Sequence, residues 1–407
     1  MAGNAFLSPT VIAKEILRIL HNNITFTKGV NRQYDSSFAN SGITVSGKAG
    51  PSLRVRKPNR FTVTDGAALV VQDLTEDYVT VSMTTQKHVA MKFTSQDLTL
   101  TIDDFSERYI KPAALALASK LDQDGCNLYK TVYNSVGTPG VTPQSALVYL
   151  QARAKLDNYT CPRDDMRTAC INPIAEAYTV DSLKTLFHLG SAVGSQYDAG
   201  EMGHAFGLNF KMDQNLASHI AGDATGALVN SSSQTGATLS IKSINGGTGS
   251  QVVKSGDMFT IPGVYQVNPE TKATTNDLQQ FVVTADSTAS SGSIAALPIS
   301  PSIVITGATQ TVNAAPVGDV HIDFNMGATP GVSYPQNMIM HRDAFTCVSA
   351  DLIMPDGVDF KAREVNDGIS VRIIRQYNIN GDELPTRVDL LYGWKELYPF
   401  FAARLWG

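Results

Sequence analysis

Charged residues are scarce in this chain, and one long stretch has no arginine at all. Asp, Glu, Lys and Arg make up 17% of the 407 residues, against about 25% in an average globular protein. No arginine occurs between Arg167 and Arg342, although both flanking segments contain it. Within that span, residues 222–318 are dense in Gly, Ser, Thr, Ala and Val. A composition that shifts and then returns predicts a β-rich module inserted into a host domain.

Cysteine is also sparse, and its spacing excludes the usual cysteine chemistry. Cys126, Cys161, Cys170 and Cys347 are widely separated and form no CxxC pair. A zinc knuckle is therefore unsupported. A disulfide framework would need an oxidising compartment, which nothing in the chain indicates. We expect buried free thiols, because free cysteine packs like a small apolar side chain.

The chain also lacks long apolar runs and a net positive charge. The longest apolar runs, such as residues 113–118, are far shorter than the roughly 20 residues that span a bilayer. The first residues carry neither a basic leader nor an apolar segment, so we expect no secretory signal. The net charge of −5 argues against strong nucleic-acid binding through a basic face. We expect a soluble protein that is made in the cytosol.

Catalytic signatures are absent or incomplete. Residues 42–48 have the glycine–lysine spacing of a phosphate loop, but Ala49 stands where Ser or Thr is required, and a strand pattern follows in place of a helix. His341-Arg342-Asp343 matches a kinase catalytic loop without the other kinase motifs. No HExxH occurs, and Asp122 and Asp124 do not share a helical face. We therefore expect no catalytic residues, no cofactor and no metal site.

The first clear element is an amphipathic N-terminal helix. Pro9 suits the first turn of a helix, and Ile12, Ile16 and Ile19 fall on one face at helical spacing up to about residue 21. A short helix followed by irregular chain is typical of an arm whose apolar stripe must find a partner. That partner is either the body of the same chain or a neighbouring subunit.

A β-hairpin is predicted within residues 41–73. Leu53 and Val55 alternate with basic residues, and Phe61 and Val63 follow a turn at 57–60. A weakly hydrophobic hairpin of this length needs another surface to lie on. Its basic cluster has three interpretations, namely a solvated strand face, ion pairing with an acidic neighbouring subunit, or, third, contact with nucleic acid. The cluster comprises Arg54, Arg56, Lys57 and Arg60.

The remaining pattern is mixed helix and strand. A long helix is predicted over about residues 103–136, restarted or kinked at Pro112, and helices follow at 144–156 and 174–189. Strands are predicted at 78–83, 88–93, 168–171, 337–349, 370–377, 387–392 and 397–406. In the 222–318 block the predicted strands are 238–244, 258–261, 279–284 and 303–306, separated by Gly-rich and Asn-Pro turns.

Three segments carry a resemblance to the P22-like coat proteins of tailed bacteriophages. Residues 104–112 (Asp-Phe-Ser-Glu-Arg-Tyr-Ile-Lys-Pro), running on to 122, resemble the start of the family's spine helix. Residues 254–264 (Lys-Ser-Gly-Asp-Met-Phe-Thr-Ile-Pro-Gly-Val), continuing through 267–272 and 281–283, resemble its inserted β-domain. Residues 389–395 (Asp-Leu-Leu-Tyr-Gly-Trp-Lys) resemble its final strand. The order of elements agrees over essentially the whole chain.

The resemblance implies an α+β, HK97-like capsid fold with an inserted all-β domain. On that template the N-terminal arm is 1–28, the E-loop 29–73, and the P-domain 74–138 with its spine helix at about 103–136. The A-domain takes 139–221, the inserted domain 222–318, and residues 319–407 supply the rest of the A-domain and the returning P-domain strands. The family's Lys–Asn crosslinking belongs to another branch, and no motif for it is carried over.

The implied function is a major capsid protein that self-assembles through hexamers and pentamers into an icosahedral shell around phage DNA. Implied partners are copies of itself, a scaffolding protein, a portal protein and double-stranded DNA bound without sequence specificity, with no membrane. Intersubunit contact candidates are Arg54, Arg56, Lys57, Arg60, Ile12, Ile16 and Ile19. The alternatives are a phage tail or decoration module, an encapsulin-type shell and a cytosolic enzyme. The long central helix argues against the tail module, and the inserted block argues against the encapsulin.

Overall fold

The structure is a computed structural model, and it describes residues 9–33, 52–67, 69, 71, 76–94, 111–183, 202–247 and 250–407. The chain divides into two compact units. The first comprises Met1–Arg56, Tyr78–Gly125 and Phe345–Lys395, and the second comprises Lys57–Asp77, Cys126–Ala344 and Glu396–Gly407. The α-helices of the described residues are α1 Pro9–Asn23, α2 Lys111–Cys126, α3 Ala146–Asn158 and α4 Pro173–Leu183.

The first unit combines α1 and α2 with antiparallel sheets. Its strands are β1 Ser52–Arg56, β2 Tyr78–Ser82, β3 Thr85–Thr94, β18 Phe345–Ser349, β19 Phe360–Asn366, β20 Ile369–Arg375 and β21 Glu383–Glu396. The order β18-β21-β20-β19 forms one sheet, in which β3 also pairs with β21 over ten residue pairs. The helix α1 packs on β19 and β20.

The second unit contains a mixed sheet covered by helices. Its strands are β4 Ser135–Val136, β5 Arg167–Ile171, β6 His204–Ala205, β7 Leu208–Met212, β8 Ser218–Ile220, β17 Ser333–His341 and β22 Ala402–Trp406. The order is β4-β22-β17-β5-β7-β6, and β8 pairs antiparallel with the first residues of β17. The core includes Tyr149 and Leu156 of α3, Ile171 of β5 and Leu405 of β22.

Residues 228–324 of the second unit form an antiparallel sheet with an apolar core of its own. Its order is β16-β12-β13-β15-β10-β9, beside a small β11-β14 pair. The core contains Leu239, Phe259, Phe281 and Leu297. The strands are β9 Leu228–Val229, β10 Gly236–Lys242, β11 Val252–Val253, β12 Met258–Val267, β13 Thr274–Val283, β14 Ser287–Thr288, β15 Ile294–Ile303 and β16 Asp323–Phe324.

Many sequence predictions are confirmed. The N-terminal helix, the helices begun at 144 and 174, and the strands at 78–83, 88–93, 168–171 and 238–244 match α1, α3, α4, β2, β3, β5 and β10 within a few residues. The strands predicted at 258–261 and 279–284 are also present, but as longer strands, β12 and β13. All four cysteines are buried free thiols. Residues 184–189, residues 42–48 and the predicted start of the long helix at 103–110 lie outside the described residues.

The end of the long helix is predicted wrongly. The α-helix α2 stops at Cys126, tightens into a 3-10 turn at Asn127–Thr131, and Val132 is extended (φ −86°, ψ 120°). Residues 131–133 are β-branched or aromatic and form helix poorly. They are also needed elsewhere, because β4 pairs with β22 just beyond them. The described part of the helix is 16 residues long, or about 24 Å.

The second strand of the predicted hairpin is also wrong. β1 pairs with β2, which sets Leu53 opposite Val81 and Val55 opposite Val79. These valines give β1 an apolar face to pack beside, whereas the segment with Phe61 and Val63 leaves both side chains exposed. Pro58, which has no N–H to donate, is the second residue after the end of β1 at Arg56.

Smaller corrections concern strand ends. The strand predicted at 303–306 is misplaced, because β15 spans Ile294–Ile303 and ends where the prediction begins. Pro298 and Pro301 weaken the strand pattern of that segment. The predicted 337–349 strand is divided by a 3-10 turn at Arg342–Ala344. The last strand begins at Ala402, after a turn at Pro399–Phe401.

Candidate functional site

The predicted basic cluster is divided between the two units. Arg54 and Arg56 lie at exposed positions of β1 in the first unit, opposite Thr80 and Tyr78. The Arg54 guanidinium lies 4.8 Å from the centre of the Tyr78 ring. This distance is within the range of a cation–π contact. The period of the strand therefore presents both arginines on one face of the β1–β2 pair.

The other two members of the cluster, Lys57 and Arg60, lie at the base of a loop in the second unit. We call residues 57–77 the tip loop. The Lys57 amide donates to the Asp77 carbonyl at 2.8 Å, and the Lys57 ammonium lies 3.3 Å from the Asp77 carboxylate. These contacts close the loop. The Arg60 guanidinium lies 5.4 Å from the centre of the Phe400 ring.

The tip loop exposes large apolar side chains. Phe61, Val63, Leu69 and Val71 are 58%, 93%, 90% and 80% exposed. Scattered exposed apolar residues are ordinary, but several within one short segment mark an interaction surface. Sequence reasoning identified Phe61 and Val63 as strand residues and missed Leu69 and Val71. The cluster of apolar residues at 67–71 was the available signal.

A cavity of about 440 Å³ lies beside the base of the tip loop within the second unit. Lys57 and Arg60 line one side, and Tyr133, Tyr159 and Phe400 supply aromatic walls. The two tyrosine rings meet edge to face at 5.9 Å between centres. Burial raises the pKa of Tyr133 and Tyr159 well above the usual range of tyrosine.

The apolar stripe of α1 is covered within its own chain. Ile16 and Ile19 are buried and Ile12 is half-buried. Ile12 and Ile16 face Phe360, Ile373 and Val388 of the sheet in the first unit. Two partners were predicted for this stripe, the same chain or a neighbouring subunit. The structure supports the first of them, the same chain.

Asp122, which the sequence analysis treated only as a weak metal ligand, anchors the chain that follows α1. Its buried carboxylate accepts hydrogen bonds from the Thr25 amide at 2.5 Å and the Thr27 amide at 3.0 Å, and from the Thr27 hydroxyl. Arg32 pairs with Asp367 at 2.6 Å further along. These contacts fix the arm to the first unit.

A buried polar centre connects the 228–324 sheet with the mixed sheet. The Asp257 carboxylate is fully buried and accepts from His219 Nε2 at 2.8 Å, from the Gly222 and Lys254 amides at 3.0 and 2.7 Å, and from Asn325 Nδ2 at 3.1 Å. His219 Nδ1 lies 3.1 Å from the Tyr129 hydroxyl. Nothing in the sequence indicated that Asp257 would meet His219, which lies 38 residues earlier in the chain.

The order Tyr–His–Asp in this centre is that of a catalytic relay, but its burial gives it a structural role. Tyr129, His219 and Asp257 are each 3% exposed or less. Burial lowers the pKa of His219, which its hydrogen bond to Asp257 partly opposes, and burial raises the pKa of Tyr129 to about 12. Arg404 caps the centre by donating to the Gly256 carbonyl at 2.8 Å, and burial lowers its pKa to about 10.

The kinase-like triplet is likewise structural. His341 is buried, its Nε2 lies 3.2 Å from the Asp164 carboxylate, and its Nδ1 accepts from the Asp343 amide at 3.2 Å. Among the described residues, no group of three or more His, Cys, Asp or Glu side chains is arranged to hold a metal ion. None of the described helices is long and apolar enough to cross a membrane.

Comparison with known proteins gives one family and several similar structures. The family model described as P22 coat protein, gene protein 5, matches residues 1–403. A structure from Mycobacterium phage Che8 is 13% identical, with 94% of this chain and 90% of that chain covered and a TM-score of 0.49. The capsid structure of cyanophage P-SCSP1u is 11% identical, with 88% and 84% covered and a TM-score of 0.44. Comparison with curated proteins gives no match.

A further similar structure is the virus-like particle from Pyrococcus furiosus, which is 10% identical, with 97% of each chain covered and a TM-score of 0.40. The family match, which spans nearly the full length, defines the class as a phage coat protein. The chain belongs to the P22 coat protein family. It is a major capsid protein that forms the phage shell, and its place is the virion.

Proposed function

We propose that this coat protein has the HK97-type domain arrangement with an inserted all-β domain. The arm is 1–28, the E-loop 29–73, the P-domain 74–138, the A-domain 139–221 with part of 319–407, and the inserted domain 222–318. The separate apolar core of the 228–324 sheet supports the last assignment. Membership of the P22 coat protein family supports the others.

The shell is icosahedral, is built from hexamers and pentamers of this chain, and encloses double-stranded phage DNA. The observation that carries this proposal is the exposure of apolar side chains in the tip loop. Val63 and Leu69 are each at least 90% exposed in the isolated chain and would be covered by a neighbouring subunit. A loop that lies on the next subunit can follow the different neighbour angles of hexamers and pentamers. Each contact can be weak, since a closed shell multiplies it.

The basic residues Arg54, Arg56, Lys57 and Arg60 are proposed as contacts to a neighbouring subunit. For Ile12, Ile16 and Ile19, burial of α1 against its own sheet favours intramolecular docking. An intersubunit role for these three residues therefore requires exchange of the arm between copies, as in domain swapping.

The further partners are a scaffolding protein and a portal protein during assembly in the host cytoplasm, with no membrane partner. DNA is enclosed without sequence-specific binding. The net charge of −5 suits this role, because a negatively charged shell does not bind the packaged DNA tightly. The protein acts through its surfaces and performs no catalysis. The structural roles of His219, Asp257 and His341 support this view.

The test compares two double variants of the tip loop. Val63→Asp with Leu69→Asp places charge on the exposed apolar surface, whereas Val63→Ile with Leu69→Met keeps it apolar and serves as the matched control. Sedimentation and negative-stain imaging should show closed shells for the parent and the control, and folded, unassembled subunits for the Asp variant. A parent protein that behaves as a small discrete oligomer, with or without its scaffolding protein, would contradict the proposal.

A further inference from the structure

The cavity beside the base of the tip loop has the size of a small-molecule site. Its volume is about 440 Å³, and ligand pockets usually measure roughly 300–1,000 Å³. All of its walls belong to the second unit, and they come from the base of the tip loop, from Tyr133 and Tyr159, and from residues within 267–311 and 398–400. An interior packed for stability alone has few voids larger than a water molecule, so a space of this size points to a ligand. We call it the aromatic cavity.

One wall of the aromatic cavity consists of adjoining rings. Tyr133 and Tyr159 meet edge to face at 5.9 Å between ring centres, and the Tyr159 ring lies 6.1 Å from the Phe400 ring. Burial holds the pKa of both tyrosines well above the usual range, so their hydroxyl groups stay protonated near neutral pH. The wall is therefore uncharged and does not repel an anion, and its rings offer faces for another ring to pack on.

Positive charge in the aromatic cavity exceeds negative charge. The charged residues of its described lining are Lys57, Arg60 and Asp77. Asp77 is paired with Lys57 at the loop base. Arg60 is exposed, its guanidinium lies over the Phe400 ring, and it has no carboxylate partner among the described residues. One guanidinium beside an aromatic wall is therefore left for an anion.

A second cation lies close to Arg60. The Lys272 ammonium donates to the carbonyls of Pro269 and Ala308, two lining residues, at 2.6 Å each. Burial lowers the pKa of Lys272 and the positive charge of Arg60 lowers it further, while Glu270 partly opposes them. Two like charges that affect one another in this way favour a bound anion, because it offsets their repulsion.

We propose that the aromatic cavity binds a nucleotide, with a phosphate on the Arg60 guanidinium and the base against the aromatic wall. Guanidinium groups bind phosphate through paired N–H donors, and aromatic side chains stack bases of any kind. A site of this kind reads no sequence and holds a single nucleotide, so it is compatible with an acidic chain that does not bind packaged DNA tightly. The inference goes beyond the proposed function and does not depend on shell assembly.

The first test separates the two parts of the ligand. Equilibrium dialysis of the full-length protein should show saturable binding of AMP, with one molecule per chain. Adenosine lacks the charge and inorganic phosphate lacks the ring, so each should bind roughly ten-fold or more weakly than AMP. Added salt should weaken the binding of AMP more than that of adenosine, because salt screens the charge on Arg60.

The second test assigns each part to a residue. Arg60→Gln should weaken AMP binding by roughly ten-fold and change adenosine binding little. Phe400→Leu keeps an apolar side chain without the ring, and it should weaken AMP and adenosine about five-fold or more while changing phosphate binding little. Arg163→Gln is the matched control, because Arg163 is an exposed arginine of the same unit that pairs with Asp157 outside the cavity lining. It should keep the parent's affinities, and circular dichroism checks that each variant is folded.

Competition identifies the source of the nucleotide. A single-stranded oligothymidylate that displaces AMP assigns the site to a nucleic-acid strand, whereas one that fails to displace it assigns the site to free nucleotides. Both outcomes keep the nucleotide chemistry of the site.

Three outcomes overturn the inference. AMP without saturable binding up to about 10 mM means that the cavity takes no nucleotide. Equal affinities for AMP and inorganic phosphate mean that the site holds an adventitious anion only. Folded Arg60→Gln and Phe400→Leu proteins that both bind AMP like the parent place the binding elsewhere. In each case shells formed by the parent leave the proposed function standing, and a parent that binds AMP but forms no shell contradicts the proposed function alone.

Discussion

The 228–324 sheet and the tip loop use similar apolar residues in opposite ways. In the sheet, Phe259 and Phe281 stack at 5.3 Å between ring centres and are buried. In the tip loop, Phe61 and Val63 are exposed. This difference in burial shows which region contributes to the folding stability of the chain. The sheet completes its own core, whereas the loop leaves its apolar surface for another molecule to cover.

Backbone pairing explains why the two regions differ. The strands β12, β13 and β15 are each ten residues long and pair with one another across the sheet. Three or more strands with an apolar face are stable, whereas a lone loop is not. In the tip loop the described backbone hydrogen bond lies at its base, from Lys57 to Asp77. We expect mutations in the sheet to change unfolding and mutations in the loop to change assembly.

The largest effect is expected for Phe281→Ala, compared with Phe61→Ala. Removing a buried phenylalanine costs about 3–5 kcal/mol of unfolding free energy. Removing the exposed ring should change it by no more than about 0.5 kcal/mol. Urea unfolding followed by circular dichroism measures both. Equal costs for the two variants would mean that the tip loop is packed as tightly as the sheet, and the contrast between the regions would fail.

The junction of the 228–324 sheet should be nearly as sensitive. Asp257→Asn replaces one carboxylate oxygen by an N–H donor that faces donors from His219, Lys254 or Asn325. The cost should be about 2–4 kcal/mol, because a buried hydrogen-bond partner is lost. Tryptophan fluorescence in a Trp394→Phe background measures this cost, because Trp406 is then the single tryptophan and its ring lies 6.3 Å from His219. Asp223→Asn, at a solvent-facing turn of the same segment, is the control and should cost less than about 1 kcal/mol.

Local patterns predicted the sheet better than the loop for a physical reason. β10, β12 and β13 have apolar residues at strand spacing and Gly-rich turns, such as Asn245-Gly246-Gly247, whose φ values are all positive. Those signals are local, so one sequence contains them. The partner of β1 is not local, because Val55 could pair with either Phe61 or Val79 by pattern alone. Pairing with β2 is selected because it buries Val55 and Val81, whereas Phe61 and Val63 stay exposed.

Long-range polar contacts were invisible for the same reason. Asp122 looks like an ordinary helix residue, but the amides of Thr25 and Thr27 require its carboxylate. The end of α2 was mispredicted for a similar reason. Leu128 and Val132 continue the helical spacing, but the helix ends before them because β4 pairs in parallel with β22, which is distant in the sequence. Arg54 and Arg56 could be proposed as contact residues because charge alternation along a strand is a local signal, and their role in assembly stays a prediction.

A smaller effect is expected at Lys155, which donates to Gln280 Oε1 at 2.8 Å. Burial lowers the pKa of Lys155 to about 8, against about 10.4 when unfolded. Between these values the unfolded chain holds a proton that the folded chain does not, so stability should rise as pH increases from about 8 to 10.4. Below pH 8 the cost of burying the charge is fully present.

Lys155→Met should remove this pH dependence and make the second unit more stable at neutral pH. Urea unfolding of the protein in a Trp394→Phe background, followed by Trp406 fluorescence and repeated from about pH 7 to 10, measures the dependence of unfolding free energy on pH. Lys211→Met, at a position on β7 of the same unit, controls for the loss of one positive charge. A Lys155→Met protein that keeps the parent's slope would show that another group titrates in this range.

The smallest effect is expected at the base of the tip loop, and it is the one that tests the loop itself. Lys57 and Asp77 are 29% and 72% exposed in their side chains, with 3.3 Å between the charged atoms. A double-mutant cycle of Lys57→Gln and Asp77→Asn should give a coupling energy of about 0.2–1 kcal/mol that decreases with salt. The backbone bond between the two residues survives both changes and keeps the loop closed. A coupling energy above about 2 kcal/mol would place the pair in a desolvated site, and the tip loop would then be a rigid part of its own chain, with no need of a neighbour to order it.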